Sequence, residues 1–114
     1  TMLDLRITVK KYYEIRLLDG TELHLKRPTQ AMVQYTLFLK GLADNNKEVE
    51  TMDAITNLFA RILNRNVEGK KYDGKELAEE YDFEVVSYVI GDYFKFWGKE
   101  IEERVNFPQS QQQK

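Results

Sequence analysis

The 114 residues of this chain suffice for one domain, and a content of 42% hydrophobic and 32% charged residues is typical of a globular protein. The formal net charge is -2, and Lys and Arg are scattered among acidic residues, which argues against a nucleic-acid-binding domain with a basic face. With no cysteine the chain has neither disulfides nor a thiolate metal site, and no apolar run reaches the roughly 18 residues of a membrane span. The N-terminus lacks the pattern of a secretory signal, so we expect a cytoplasmic protein.

The first 27 residues predict a small antiparallel sheet. Apolar and polar residues alternate there, which is the period of a strand with one buried face. The alternating apolar residues are Leu3, Leu5, Ile7, Val9, Tyr13, Ile15 and Leu17. The pair Lys10-Lys11 interrupts the pattern, either as a turn or as a bulge in one long strand.

The turn after these residues sets the register of a predicted hairpin. A two-residue loop would put the apolar residues of the two strands on opposite faces of the sheet. A three-residue loop, Leu18-Asp19-Gly20 with the glycine in the left-handed region, instead sets Ile15 opposite Leu23 and Tyr13 opposite Leu25. We predict the three-residue loop, because it keeps the larger apolar side chains on one face.

Two helices are predicted after the sheet. Proline cannot continue a strand ladder, so Pro28 ends the sheet, and Thr29 caps a first helix that runs to about Leu42. A polar loop from Asp44 to Glu50 follows, and we expect Thr51 to cap the second helix. Each helix carries an apolar stripe for the core. The stripes are Ala31, Met32, Tyr35, Phe38, Leu39 and Leu42 in the first helix, and Met52, Ile55, Leu58, Phe59, Ile62 and Leu63 in the second.

The C-terminal half predicts two more helices. A connection from Asn66 to Asp73 leads to a short acidic helix from Gly74 to Tyr81, and Asp82 caps a long last helix. We therefore predict an α+β fold in which an N-terminal antiparallel β-hairpin or small sheet precedes three to four helices, the last one long and aromatic-rich. This fold forms a single domain over residues 1–107, and we expect the Gln-rich tail 108–114 to be disordered.

The last helix carries two apolar stripes, one more than the core of a small domain needs. The main stripe consists of Phe83, Val86, Ile90, Tyr93, Phe94, Trp97, Ile101 and Val105, and the narrower second stripe of Val85, Tyr88, Val89 and Phe96. Asp92 interrupts the second stripe, and the first helix has a surplus apolar pair of its own, Val33 and Leu37. Burial of the second stripe within the fold and contact with a partner are equally compatible with this pattern.

Motifs for catalysis, metal binding or nucleotide binding are missing from the sequence. His24 is predicted to face solvent from its strand, with neither a second imidazole nor a nucleophile nearby. The loop from Asp44 has Val49 and Ile55 where a calcium loop requires glycine and glutamate. An acidic cluster is typical of solvated helix starts, and its members are Glu76, Glu79, Glu80, Asp82 and Glu84. We therefore predict no catalytic residue, no metal and no cofactor.

Two segments and the order of the elements resemble a known family. The segments are Leu23 to Thr29, which leads from the hairpin into the first helix, and Tyr81 to Val86, which opens the last helix. Over residues 12–107 this layout resembles the small tail assembly chaperones of long-tailed bacteriophages. The resemblance implies a non-enzymatic protein that coats the tape measure protein in the infected cell, recruits tail-tube subunits and is absent from the virion. Such families often make a second, longer product by ribosomal frameshifting.

A chaperone for apolar helical segments needs exposed apolar stripes and flanking charges that keep the complex soluble. The residues that we expect to form this surface are Val33, Leu37, Val85, Tyr88, Val89 and Phe96. The expected partners are the tape measure protein and the tail-tube protein, a homo-oligomer is compatible with the stripes, and neither nucleic acid nor a membrane is expected. Two alternatives are a generic protein-protein adaptor or regulatory domain with a single partner, and a hydrolase built on the acidic cluster.

Overall fold

The computed structural model describes Met2 and residues 11–105, with side chains as far as Gly98. These described residues form two strands and four helices, one after another. They are β1 (Tyr13–Arg16), β2 (Glu22–Leu25), α1 (Gln30–Asp44), α2 (Glu48–Leu63), α3 (Gly74–Glu80) and α4 (Phe83–Val105). This is the predicted α+β layout. The predicted strand residues Leu3 to Val9, the tail 108–114 and the side chains of Ile101 and Val105 lie outside the described part of the chain.

The β1–β2 hairpin has the predicted three-residue turn. Ile15 pairs with Leu23 and Tyr13 with Leu25, so the predicted register is confirmed. Gly20 has a φ of 91°, a value that a residue with a Cβ rarely adopts, and this conformation closes the turn. The Asp19 carboxylate accepts a hydrogen bond from the Thr21 N–H at 2.9 Å, which lowers the pKa of Asp19.

The connection after α2 returns to the sheet and lies along the outer edge of β2. The N–H of Lys26 donates to the carbonyl of Arg65 at 3.0 Å, and the N–H of Val67 donates to the carbonyl of His24 at 3.1 Å. Asn66, which is buried, forms an antiparallel bridge with Leu25 between these two bonds. The connection therefore protects the edge of β2 as a third strand would.

The start of α1 agrees with the prediction, whereas the start of α2 does not. The Thr29 hydroxyl accepts a hydrogen bond from the Met32 N–H at 3.2 Å and caps α1. The loop predicted up to Glu50 is too long, because α2 begins at Glu48, and the prediction of Thr51 as its cap is wrong. Thr51 lies inside the helix and donates its hydroxyl hydrogen to the carbonyl of Lys47. Acidic residues in the first turn of a helix interact favourably with its dipole, which accounts for the earlier start.

Helix α2 is the centre of the fold, in contact with α1, α3, α4 and β2. Its side chains Leu58, Phe59, Ile62 and Leu63 are completely buried. Around them lie the other buried apolar residues of the core: Leu17, Leu23, Leu25, Met32, Ala60, Leu77, Val86, Tyr93 and Trp97. The core thus forms where β2, α1, α3 and α4 pack around α2, and β1 joins it through β2 and α4.

The last two helices begin at aspartate caps. The Asp73 carboxylate accepts hydrogen bonds from the first turn of α3, and Asp82 accepts one from the N–H of Val85 at 2.8 Å, as predicted for α4. The buried Tyr93 hydroxyl donates to the carbonyl of Lys26 at 2.6 Å, and burial raises the pKa of Tyr93. This bond joins the middle of α4 to the end of β2. Within the described residues, no helix is long and apolar enough to cross a membrane.

Candidate protein-binding surface

Helix α1 is attached to the domain along one side only. Of the elements that the structure describes, α1 contacts α2 alone, and Met32 is its one fully buried residue. Tyr35 and Leu39 are partly buried against the core on the same side as Met32. The opposite side of α1 is therefore available to another molecule.

Three large apolar side chains project from α1 into solvent: Val33, Leu37 and Phe38, which together we term the α1 surface. Val33 and Phe38 are about half exposed, and Leu37 is 69% exposed. Val33 and Leu37 are one helical turn apart, so they lie side by side on the helix. Gly41 continues their row one further turn along, and apart from its chain neighbours and the backbone of its own helix no atom lies within 4 Å of the position that a Cβ would take there.

The α1 surface is also poor in charge. Lys40 and Asp44 are the only charged residues in α1. The exposed side of α2, in contrast, carries acidic and basic residues, among them Glu50, Asp53 and Arg61. Lys40 is exposed one turn beyond Leu37 and is the one charge beside this row. Large apolar side chains that cluster with so little charge are typical of sites that contact other proteins.

Two open hollows extend this apolar region around the turn between α1 and α2. One has a volume of about 480 Å³, and Phe38 and Leu42 are among the residues that line it. The other has a volume of about 310 Å³ and reaches Met52 and Phe83. Lys47 borders both hollows and Glu48 borders the second, so one charge of each sign lies at the edge of this region.

The six residues predicted for partner binding occupy two different settings. Val33 and Leu37 lie on the α1 surface, and on α4 Val85 and Tyr88 are exposed, Tyr88 by 73%. Val89 and Phe96 are instead partly buried against the core. Among the described residues α1 and α4 do not pack against each other, and they approach only at the hollow that Ala43 and Phe83 both line.

The C-terminal part of the second stripe of α4 packs on β1. The Phe96 ring meets the Tyr13 ring edge-to-face, with the ring centroids 5.4 Å apart. The Tyr13 hydroxyl donates a hydrogen bond to the Asp92 carboxylate at 2.6 Å, and burial and this bond raise the pKa of Tyr13. Asp92, the charged residue that interrupts the stripe in the sequence, therefore binds the sheet through Tyr13. Of the two alternatives for this stripe, burial holds for Val89 and Phe96.

Four residues assigned to core stripes from the sequence are in fact exposed. Ala31 is exposed in the first turn of α1, and Phe38, Met52 and Phe83 are each about half exposed, so their placement in the core was wrong. Phe38, Met52 and Phe83 lie near the turn between α1 and α2. Helical periodicity identifies the inward face of a helix but does not show how far along its length a neighbour covers that face.

His24 faces solvent, as predicted, and forms a small charged cluster on the outer face of the hairpin. Its Nδ1 lies 2.6 Å from a Glu68 carboxylate oxygen, and its Nε2 lies 3.7 Å from Glu14. The hydrogen bond to Glu68 raises the pKa of His24 and lowers the pKa of Glu68. The pair links the connection after α2 to β2. No metal-binding group of three His, Cys, Asp or Glu residues occurs in the part of the chain that the structure describes.

Comparison with known proteins gives no match. No family model, no curated protein and no solved structure matches this chain.

Proposed function

We propose that this chain is a non-enzymatic tail assembly chaperone of a long-tailed bacteriophage. In this proposal it acts in the cytoplasm of the infected cell, binds the tape measure protein and helps to recruit tail-tube subunits. The resemblance over residues 12–107 motivates the proposal, and the exposed, charge-poor α1 surface supports it.

Contact with an apolar helix would suit the α1 surface physically. Leu37 would lose most of its exposed area to a helix that packs against the row of Val33, Leu37 and Gly41. Each buried Leu or Phe side chain contributes about 1.5 to 3 kcal/mol relative to full exposure. The absence of a side chain at Gly41 lets a partner helix approach the α1 backbone more closely than usual. Lys47 would lie beside an acidic residue on the rim of such a partner.

The experiment is co-expression of the full chain with the tape measure protein encoded near it, followed by size-exclusion chromatography with light scattering. We expect the wild-type chain to keep the tape measure protein soluble in a complex with many copies of the chaperone. The variant Val33→Asp with Leu37→Asp puts two charges on the α1 surface, so it should lose the partner and remain folded.

The matched control is Val49→Asp with Val67→Asp. These two valines are also exposed and lie outside α1, so the control adds the same charge without changing the α1 surface. A wild-type chain that leaves the tape measure protein insoluble would contradict the proposal, as would equal binding by both double variants. A complex with one copy of each protein would favour the adaptor alternative.

A further inference from the structure

The outer edge of β1 carries backbone groups that have no hydrogen-bond partner among the described residues. In an antiparallel pair, opposite residues direct their N–H and C=O groups either towards each other or both away. His24, opposite Glu14, uses its backbone N–H and C=O for bonds to Glu68 and Val67 on the far side of β2. The backbone groups of Glu14, and by alternation those of Arg16, therefore point outward from β1. No described residue forms a hydrogen bond with them.

The apolar face of the hairpin is also incompletely covered on the β1 side. Leu23 and Leu25 of β2 are 0% exposed, whereas their cross-strand neighbours Ile15 and Tyr13 are only partly buried. The connection after α2 flanks β2, whereas among the described residues β1 has a strand on one side only. A further strand beside β1 would cover the remaining apolar area of Ile15.

The charges on β1 select one occupant and one register. Glu14 and Arg16 are the two residues whose backbone groups point outward, and their side chains carry opposite charges. If two copies of β1 pair antiparallel with Ile15 opposite Ile15, Glu14 of each copy lies opposite Arg16 of the other. The two neighbouring registers with the same hydrogen-bonding pattern place Glu14 opposite Glu14 or Arg16 opposite Arg16. Both are unfavourable, because like charges directly opposite each other repel.

We propose that two copies of this chain associate through the outer edges of β1 in this register, so that two hairpins form one four-stranded antiparallel sheet. Both Glu14–Arg16 pairs carry backbone hydrogen bonds, and the two Ile15 side chains meet on the apolar face at the twofold axis. The interaction uses β1 and leaves the α1 surface free. It is therefore independent of the proposed binding of a tape measure protein.

The test is the self-association of the full chain, measured by sedimentation equilibrium up to about 1 mM, a range that includes weak specific dimers. Glu14→Arg and Arg16→Glu each create two like-charge contacts and should weaken the dimer by at least about tenfold. Mixing the two variants restores both opposite-charge contacts, so we expect a heterodimer about as stable as the wild-type dimer. Lys26→Glu is the control, since it changes the net charge as Arg16→Glu does but lies immediately after β2, away from the outer edge of β1.

Amide hydrogen exchange at Glu14 and Arg16 locates the contact. We expect protection of these two amides to increase with protein concentration in the wild type and in the mixture, but not in either single variant. The proposal is overturned by a wild-type chain that remains monomeric throughout the range, by a dimer that the two single variants leave unchanged, or by protection independent of concentration. The last result would show that another part of the same chain occupies the edge.

Discussion

Asn66 holds the connection after α2 in place, and we predict that Asn66→Ala destabilises the domain more than any change at an exposed asparagine. Its side-chain amide donates to the carbonyls of Leu63 at 2.7 Å and Lys70 at 2.9 Å. Its carbonyl oxygen accepts a hydrogen bond from the Lys70 N–H at 2.9 Å. These bonds close the loop that lies along the edge of β2.

The expected magnitude follows from these three hydrogen bonds. At about 1 kcal/mol of net stabilisation for each, their loss costs about 3 kcal/mol at most. Lys70 lies in an exposed loop, so its backbone groups regain hydrogen bonds to water, and the expected loss is about 2 kcal/mol. For a domain of this size, that loss lowers the melting temperature by about 8 °C.

The assay is urea unfolding, followed both by the fluorescence of Trp97 and by helical circular dichroism. Trp97 is the only tryptophan and is buried in the core, so its signal reports the packing of α4. Asn57→Ala is the control: Asn57 is exposed in the middle of α2, where alanine should be neutral or slightly stabilising. If Asn66→Ala stays within about 0.5 kcal/mol of this control, the hydrogen bonds of Asn66 do not hold the loop and the reasoning is wrong.

Three further predictions concern the hairpin. The pKa of His24 is raised from 6.5 and the pKa of Glu68 is lowered from 4.5, so their pair stabilises the fold most at pH values between 4.5 and 6.5. The contribution disappears as the pH rises through the pKa of His24 in the folded protein. NMR titration should give a pKa above 6.5 for His24, and Glu68→Gln should lower it; an unchanged value would contradict the pairing. Tyr13→Phe removes the hydrogen bond to Asp92 and should cost about 1 kcal/mol in urea unfolding, whereas no loss would mean that water replaces the hydroxyl equally well. Gly20→Ala should cost about 1 kcal/mol from its positive φ alone, since open space surrounds the position, and a stabilised variant would refute this.

Local patterns in the sequence were sufficient for the hairpin and for most helix boundaries. The register of Ile15 with Leu23 follows from the alternation of apolar and polar residues along each strand, because a shift by one residue would move every apolar side chain to the other face. Thr29 and Asp82 were identifiable as caps because a short polar side chain immediately precedes a helical stripe. Two acidic residues in the first turn of α2 were the signal for its earlier start.

Features that depend on distant parts of the chain could not be predicted in this way. The position of Asn66 beside Leu25 requires the chain to return to the sheet after α2, and nothing within the connection encodes that return. Similarly, whether Phe96 faces a partner or the core depends on Tyr13, which is 83 positions earlier in the sequence. The surplus stripes correctly marked α1 and α4 as helices with more apolar area than one core needs, but the tertiary contacts decide which part remains exposed.

The attachment of α1 to α2 alone has a mechanical consequence for recognition. A helix that packs on one neighbour has few contacts to lose, and Met32 is the one fully buried residue that ties α1 to the core. We therefore expect α1 to open locally at a lower free energy than α2, which packs on four elements. If the proposed function holds, such a helix would suit a chaperone that coats a long chain, because it could adjust to local sequences that differ along that chain.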